Sequence, residues 1–329
     1  MSRLIIGKII HGTLNLIQSY NPVTILITGG VEATANLADA IDGNGTTSYA
    51  IVNSGTISSK SGYATDLSGP NSYFINYGSI SGAGGLLLTD DASVTNTATG
   101  RITASGTLPS PLSSISGIYI TGPSGAGMAA ISVTNAGVVT AADGYGIGLG
   151  ASGSVSNSGT VTGGEDGIAV LAGAGNIQNS GSVTATLDDG VGLFQGGTVT
   201  NALGGSISGV VGATAAGIFI TGAAGTITNG GQVNGSDYGV LVAAGGTVTN
   251  SASGTINGQG SGVSLSHGGT LSNSGAISST AVNSAAADLE LGGTLNNYAG
   301  GSISGAGYGA FLTGAPGTIM NAGTMTGAA

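Results

Sequence analysis

An asparagine recurs along almost the whole chain at intervals of about 22 residues, each time shortly before a glycine. A fixed period of this length is typical of a solenoid, in which each repeat forms one coil. The larger intervals that follow Asn96 and Asn201 indicate coils with inserted loops, near residues 105–130 and 209–216. The recurring asparagines are Asn53, Asn76, Asn96, Asn135, Asn157, Asn179, Asn201, Asn229, Asn250, Asn273, Asn297 and Asn321.

One repeat contains three short apolar alternations separated by turns, as in "GIGLG", "SVSN" and "GTVTG" around Asn157. The alternation places Ile147, Leu149, Val155 and Val161 on one side of these segments. Helices are disfavoured because glycine or a β-branched residue stands at nearly every position. The pattern therefore predicts an all-β fold, a right-handed parallel β-helix of about 13 coils of about 22 residues with three short strands per coil.

The recurring asparagine stands at the corner between two strands of each coil. Asparagine tolerates the left-handed backbone conformation that a sharp corner can demand, and the nearby glycine relieves that corner further. When coils stack, the side-chain amides can donate to and accept from one another in a ladder. The asparagines are therefore interpreted as a structural column rather than a binding site.

The chain is interpreted as one solenoid with an N-terminal cap. Residues 1–19 are an apolar segment predicted to cover the first coil, and residues 20–329 are predicted to form a single β-helix domain. The final stretch "GTIMNAGTMTGAA" shows no capping residues, although repeat proteins ordinarily need polar caps. Two alternatives follow: either the natural chain continues beyond Ala329, or this face docks onto another subunit. The second alternative predicts that copies of the chain associate end to end.

Composition excludes several classes of partner. The net charge is −10, and the basic residues are Arg3, Lys8, Lys60 and Arg101. Nucleic-acid binding is excluded because too few cations are available to neutralise phosphates. No apolar run approaches the roughly 18 residues that a membrane helix needs, so no membrane insertion of this segment is expected.

The repeat of the general form VTNSGTI, with Gly-rich turns and Thr/Ser-x-Thr/Ser strands, resembles the β-helical passenger regions of bacterial autotransporters and filamentous-haemagglutinin-like surface adhesins. The resemblance covers nearly all of residues 20–329 and lies in composition and period. It implies an extracellular or bacterial cell-surface location and an adhesive or structural role. It also implies a surface glycan or a host or cell-surface protein as a partner.

Acidic residues cluster at another corner of successive coils. Stacked carboxylates repel, so such a column favours a cation or free water. Carboxylates and turn carbonyls are the oxygen ligands that Ca²⁺ takes, and no other cofactor is expected. The alternative is that Asp-Gly pairs simply form turns. The candidate ligands are Asp143, Glu165, Asp166, Asp188 and Asp189.

Small residues occupy the outward position beside this acidic corner. They are flanked by the aromatic side chains Tyr119 and Phe219, with Phe311 farther along. Small residues between aromatic ones would leave a shallow slot in which a glycan could stack beside the acids, and the alternative is that inserted loops cover the aromatic rings. The small residues are Gly148, Ala169 and Gly192.

Hydroxyl-bearing triplets follow the asparagine corner in most coils. Two files of hydroxyl groups on a flat β-face are the arrangement by which some solenoids bind ice, and the alternative is an ordinary hydrated surface. The files are interrupted by Arg101, Val138, Gln232, Asn234, Asn257 and Ala276. The triplets are Thr56–Ser58, Ser79–Ser81, Thr160–Thr162, Ser182–Thr184, Ser206–Ser208, Ser302–Ser304 and Thr324–Thr326.

No catalytic residues are predicted. The chain has no cysteine nucleophile and no His-rich metal spacing, and "LDDG" at 187–190 and "SHGG" at 266–269 lie several coils apart. The sequence thus predicts a non-catalytic extracellular structural or adhesive module. The alternatives are a β-helix that binds or processes glycans through the Asp-lined slot and, less favoured, an ice-binding solenoid.

Overall fold

The computed structural model describes residues 3–43, 45–106, 115–122, 131–210 and 215–328. The predicted fold class is confirmed: the chain is an all-β parallel solenoid of about 13 turns of about 23 residues, built from three parallel sheets. It divides into two compact units, a first unit of Met1–Glu165 and a second unit of Asp166–Ala329. Among the described residues, no helix is both long and apolar enough to cross a membrane.

The first unit contains sheets A, B and C, each made of strands one coil apart. Sheet A consists of β1 (Leu4–Ile6), β4 (Val23–Ile25), β7 (Ala50–Asn53), β10 (Tyr73–Asn76), β13 (Ser93–Asn96), β16 (Ile131–Asn135) and β19 (Gly153–Asn157). Sheet B consists of β2 (Ile9–His11), β5 (Gly30–Ala33), β8 (Thr56–Ser59), β11 (Ser79–Gly82), β14 (Arg101–Ala104), β17 (Val138–Ala141) and β20 (Thr160–Gly163). Sheet C consists of β3 (Leu14–Asn15), β6 (Ile41–Gly43), β9 (Tyr63–Leu67), β12 (Gly84–Leu88), β15 (Ile118–Ile120) and β18 (Ile147–Leu149).

The second unit repeats this plan, and the strands that it contributes to the three sheets are labelled A′, B′ and C′. Sheet A′ consists of β22 (Gly175–Asn179), β25 (Gly197–Asn201), β28 (Gly225–Asn229), β31 (Gly246–Asn250), β34 (Gly269–Asn273), β37 (Gly293–Asn297) and β40 (Gly317–Asn321). Sheet B′ consists of β23 (Ser182–Ala185), β26 (Ser206–Gly209), β29 (Gln232–Gly235), β32 (Thr255–Gly258), β35 (Ala276–Ser279), β38 (Ser302–Gly305) and β41 (Thr324–Thr326). Sheet C′ consists of β21 (Ile168–Val170), β24 (Val191–Leu193), β27 (Ala216–Ile220), β30 (Tyr238–Val242), β33 (Ser261–Leu265), β36 (Ala285–Glu290) and β39 (Tyr308–Thr313).

The N-terminal segment 1–19, predicted as a cap, contributes a coil of its own. Strands β1, β2 and β3 pair in parallel with β4, β5 and β6, and a single-turn 3₁₀ helix at Gln18–Tyr20 leads into the next coil. These three strands are thus the first rung of sheets A, B and C. Most of the insertions predicted at 105–130 and 209–216 lies outside the described residues.

Aliphatic side chains stack in register in the interior of each unit. Because successive strand residues point to opposite faces, one apolar position per strand recurs in every coil. In sheet A, Ile51, Phe74 and Val94 follow one another in adjacent strands and are buried. In sheet A′, Val199 and Ile227 do the same.

The predicted asparagine ladder is confirmed within each unit. From Asn53 to Asn157, the Nδ2 of each ladder asparagine donates to the Oδ1 of the next at 2.8 Å. From Asn179 to Asn321, the same bonds are 2.7 to 2.9 Å long. The ladder amides from Asn53 to Asn297 also bond backbone groups at their corners. Asn76, for instance, donates to the carbonyl of Gly78 and accepts from its N–H. The ladder therefore satisfies polar groups that the corner would otherwise bury without partners.

The predicted reason for asparagine at this corner is wrong. None of the ladder asparagines is among the described non-glycine residues with positive φ, which include Leu37 and Asn71. The following glycine is required by space instead, because a Cβ on Gly78 would collide with the carbonyl oxygen of Gly55 one coil earlier. The amide is thus selected for its hydrogen bonds and the glycine for close backbone approach.

Candidate functional site

The acidic corner brings three of the five predicted carboxylates together. Asp166, Asp188 and Asp189 in the second unit each offer one oxygen, and these oxygens lie within 4.8 Å of one another. Asp166 and Asp189 are buried, whereas Asp188 is exposed. Asp143 and Glu165 lie in the first unit, are exposed, and do not belong to this cluster.

The two buried carboxylates bond backbone groups of the next coil. Asp166 Oδ1 accepts from the N–H of Asp189 at 3.1 Å, and Asp189 Oδ1 accepts from the N–H of Ala216 at 2.7 Å. Burial raises the pKa of Asp189 to about 7; the Ala216 hydrogen bond opposes the rise and the charge of Asp188 adds to it. This geometry supports the turn interpretation, because each buried carboxylate already anchors the corner that follows it.

The space predicted as a glycan slot is filled by the chain's own side chains. A Cβ on Gly148 would lie 2.7 Å from a ring carbon of Tyr119 and 2.8 Å from one of Tyr145. A Cβ on Gly192 would lie 2.9 Å from the Asp166 carboxylate and 3.1 Å from the ring of Phe194.

Aromatic packing explains why this space is closed in the second unit. Phe194 packs edge-on against Phe219, with ring centroids 6.0 Å apart, and Ala169 is fully buried. The small residues therefore make room for neighbouring rings, and those rings leave no slot over Gly192. The sequence did not predict this role for Phe194, because Phe194 lies directly after β24 and outside the alternating positions of the strand.

A second acidic group, in the first unit, was not predicted from the sequence. Asp42 and Asp66 are neighbours in the register of sheet C, and Asp39 Oδ1 accepts from the N–H of Tyr63 at 2.7 Å. Burial, together with the charges of Asp39 and Asp42, raises the pKa of Asp66 to about 6. The signal in the sequence is the spacing of Asp42 and Asp66, which equals one coil.

The hydroxyl triplets lie on the outward face of sheets B and B′, where their hydroxyl-bearing residues are exposed or half-buried. Two of the interruptions on sheet B′, Asn234 and Asn257, form side-chain hydrogen bonds across the strands. Asn257 donates to Asn234 at 2.9 Å, and Ser278 donates to Asn257 at 2.7 Å. These residues therefore crosslink neighbouring coils on the outside, in the way that the buried ladder does inside.

Comparison with protein-family models, curated proteins and solved structures finds no match to this chain. Function therefore has to be inferred from side-chain geometry. The polar groups at both kinds of corner hold one coil to the next, and the outward faces carry small hydroxyl and amide side chains. This arrangement can build a regular surface, and it leaves the acidic corner as the one predicted place for a cation.

Proposed function

We propose that this chain is a non-catalytic structural and adhesive β-solenoid that works outside the cell or on a bacterial cell surface. The asparagine ladder is the observation that carries the proposal. Its amides bond one another and the corner backbone through five coils of the first unit and seven of the second. Such an interior stabilises an extended regular surface, which is what a structural module provides.

The use of the acidic groups supports the non-catalytic part of the proposal. At the acidic corner, Asp166 and Asp189 each use one oxygen to accept a backbone N–H. His267, the histidine of the second unit, contacts the carbonyl of Ala243 through Nδ1 at 2.6 Å. These contacts give each group a structural partner.

The sequence resemblance supports the extracellular and adhesive part. A surface glycan or a cell-surface protein is the expected partner, and the scarcity of basic residues argues against nucleic acid.

The proposal includes end-to-end association of copies of this chain. Among the described residues, the strands β40 and β41 pair only with β37 and β38. Ile319 continues the interior column of sheet A′ and is 46% exposed. An unpaired parallel edge beside an exposed apolar side chain is a template for another strand.

Sedimentation velocity and electron microscopy of the purified chain test this association. We expect linear assemblies that lengthen with concentration and that Ile319→Lys abolishes, because the substitution places a charge on the docking face. Met320→Lys adds the same charge to the outward side of the same strand and is the matched control, which should still assemble. A wild-type chain that stays monomeric at high concentration, or equal loss in both variants, would contradict end-to-end docking.

Coated beads test the adhesive role separately. Beads that carry the folded chain should bind bacterial or host cells more strongly than beads that carry the heat-unfolded chain. Equal binding by both kinds of bead would count against adhesion and leave a purely structural role.

A further inference from the structure

A groove of about 350 Å³ opens on the outer face of sheet C′, away from the acidic corner. It runs across strands β30, β33, β36 and β39, and its volume lies at the lower end of the range for small-ligand sites. Aromatic side chains stand at both ends, Tyr238 at one and Tyr308 with Phe311 at the other. Three coil spacings separate the ends, a span of roughly 14 Å.

Small side chains form the floor between these aromatic ends. In one register column, Ser264 and Asp288 lie between Leu241 and Phe311. Ser261 and Ala285 also line the groove. The depression thus exists because residues with short side chains fill two consecutive coils between coils that carry large ones.

The aromatic end presents a platform to solvent. Tyr308 and Phe311 have ring centroids 5.4 Å apart, with the ring planes tilted by 33°. They are 49% and 44% exposed, in contrast to Phe194 and Phe219, which pack on each other over Gly192. Exposed rings beside hydroxyl and carboxyl groups match a ligand that has both an apolar face and hydrogen-bonding edges.

The carboxyl groups of the groove lack cations to pair with. Asp288 and Glu290 line it, and no lysine or arginine does. Asp288 Oδ1 is buried and accepts no hydrogen bond from the described residues. Burial and the charge of Glu290 raise the pKa of Asp288. A ligand that donates hydrogen bonds to this carboxyl group would compensate its burial, whereas an anionic ligand would be repelled.

We propose that this groove binds a saccharide that carries no acidic group. The apolar face of a sugar ring would lie on Tyr308 and Phe311. Its hydroxyl groups would donate to the Asp288 carboxyl group and accept from the half-buried hydroxyls of Ser266 and Ser284, which also line the groove. An amino sugar gains further from the two carboxylates and the aromatic faces, because its ammonium group interacts favourably with both. The inference rests on the proposed adhesive function and deepens it, since it assigns the expected surface glycan to one place on the chain.

Three soluble trisaccharides test the inference on the purified full chain: the trimers of N-acetylglucosamine, glucosamine and galacturonic acid. Isothermal titration calorimetry should show binding of the first two, with glucosamine the tighter, and no binding of the uronate. Saturation-transfer NMR on the wild-type chain should show transfer to the sugar ring protons, and this measurement needs no variant. Absence of binding by both uncharged and amino trimers, or equal binding of the uronate, would overturn the inference.

Substitutions locate the site. Tyr308→Ala and Phe311→Ser should each weaken binding by about 3- to 10-fold, the loss expected for one aromatic contact. Phe311→Ser places at that position the residue type already present as Ser264 in the same column. Tyr298→Ala is the matched control, because Tyr298 is similarly exposed at 51%, lies outside sheet C′ and is absent from the lining of the groove.

Asp288→Asn separates the charge from the shape of the site. It should weaken the glucosamine trimer more than the N-acetylglucosamine trimer. Binding that survives Tyr308→Ala, Phe311→Ser and Asp288→Asn unchanged would contradict the site. The circular dichroism spectrum of every variant must match that of the wild type, so that lost binding is assigned to the groove and not to an unfolded solenoid.

Discussion

The two polar corners of the second unit use different side chains to satisfy polar groups that are buried there. At one corner, Asn201 accepts from the preceding asparagine and donates to Asn229, and the pattern continues coil after coil. At the other, Asp166 and Asp189 accept from backbone N–H groups, and each of these bonds runs to the coil that follows. An amide has both donors and acceptors, whereas an ionised carboxylate has acceptors only.

This difference explains why one column is long and the other short. Identical amides one coil apart complement each other, so the ladder can extend without limit. Identical carboxylates repel, and each added one must find a backbone donor or bind a proton. The high pKa of Asp189, about 7, is the result of burying such a group where one hydrogen bond only partly compensates.

Of the substitutions at the two corners, Asn229→Asp should lower the free energy of unfolding most. Asn229 Nδ2 donates to Asn250 Oδ1 at 2.9 Å and to the carbonyls of Gly231 and Thr255 at 3.1 and 3.2 Å. A carboxylate would turn a charged oxygen toward three acceptors, which should lower the free energy of unfolding at neutral pH by about 3–5 kcal/mol. Urea unfolding followed by circular dichroism measures the loss.

Acidification provides the control for that variant. Below the pKa of the new carboxyl group, protonation removes the charge and restores one donor, so part of the lost stability should return. Asn176→Asp, on the exposed face of the same sheet, should lose little at either pH. A deficit in Asn229→Asp that is the same at acid and neutral pH would show that shape, and not charge, is responsible.

Asn229→Ala should have the next largest effect. It removes one of the three acceptors of Asn201 Nδ2, the donor to Asn250 Oδ1 and the acceptor of the Gly231 N–H, while adding no charge. We expect a loss of about 2–4 kcal/mol, since several buried polar groups lose partners. Asn176→Ala removes an exposed amide and should change the free energy of unfolding by less than about 0.5 kcal/mol. Equal losses in the two variants would contradict the ladder as a source of stability.

Period and alternation were sufficient to predict the interior. The spacing of residues such as Asn53 and Asn76 places them in adjacent strands, and the apolar alternation around them fixes which side chains face inward. Strand adjacency and the inward-facing positions both depend on the register between coils, and the repeats of a single sequence are enough to reveal this register. The ladder is therefore readable from the sequence, although the reason first given for it, a left-handed corner, was not correct.

The outer surface could not be predicted in the same way, because the size and direction of outward side chains do not repeat from coil to coil. Gly192 and its neighbours indicated an open slot, but the ring of Phe194 folds over it. The open groove lies instead where Tyr308 and Phe311 project beyond small neighbours. Which aromatic ring covers and which one stays exposed depends on rotamers and packing, which the order of residues does not specify.

In the first unit, the half-buried carboxyl group of Asp66 should make the free energy of unfolding depend on pH. Its folded pKa is raised from 3.8 to about 6, so between these values the folded state binds the proton more tightly than the unfolded state. Its contribution to the free energy of unfolding therefore falls as pH rises through this window and is constant above it. Asp66→Asn should flatten this slope and raise stability at pH 7 by about 1 kcal/mol, allowing for partial exposure.

Denaturant unfolding across this pH range checks the expectation. Asp143→Asn, which removes an exposed carboxylate from the same unit, is the matched control and should leave the slope as it is in the wild type. If Asp66→Asn and Asp143→Asn changed the slope equally, net charge rather than burial of Asp66 would be the cause.

Asp189→Ala compared with Asp188→Ala decides between a turn and a cation site at the acidic corner. Loss of Asp189 leaves the Ala216 N–H without its acceptor, which should lower the free energy of unfolding by about 1–2 kcal/mol. Loss of the exposed Asp188 should have almost no effect if the corner is only a turn.

If the corner is only a turn, added Ca²⁺ should not move the thermal midpoint of the wild type, because no ion binds the folded state preferentially. A calcium site would behave differently: Ca²⁺ at 100 times its Kd would add about 2.7 kcal/mol, and either substitution would remove that gain. A calcium-dependent midpoint that both variants abolish would therefore show that these carboxylates bind a cation, unlike the self-sufficient amides of the ladder.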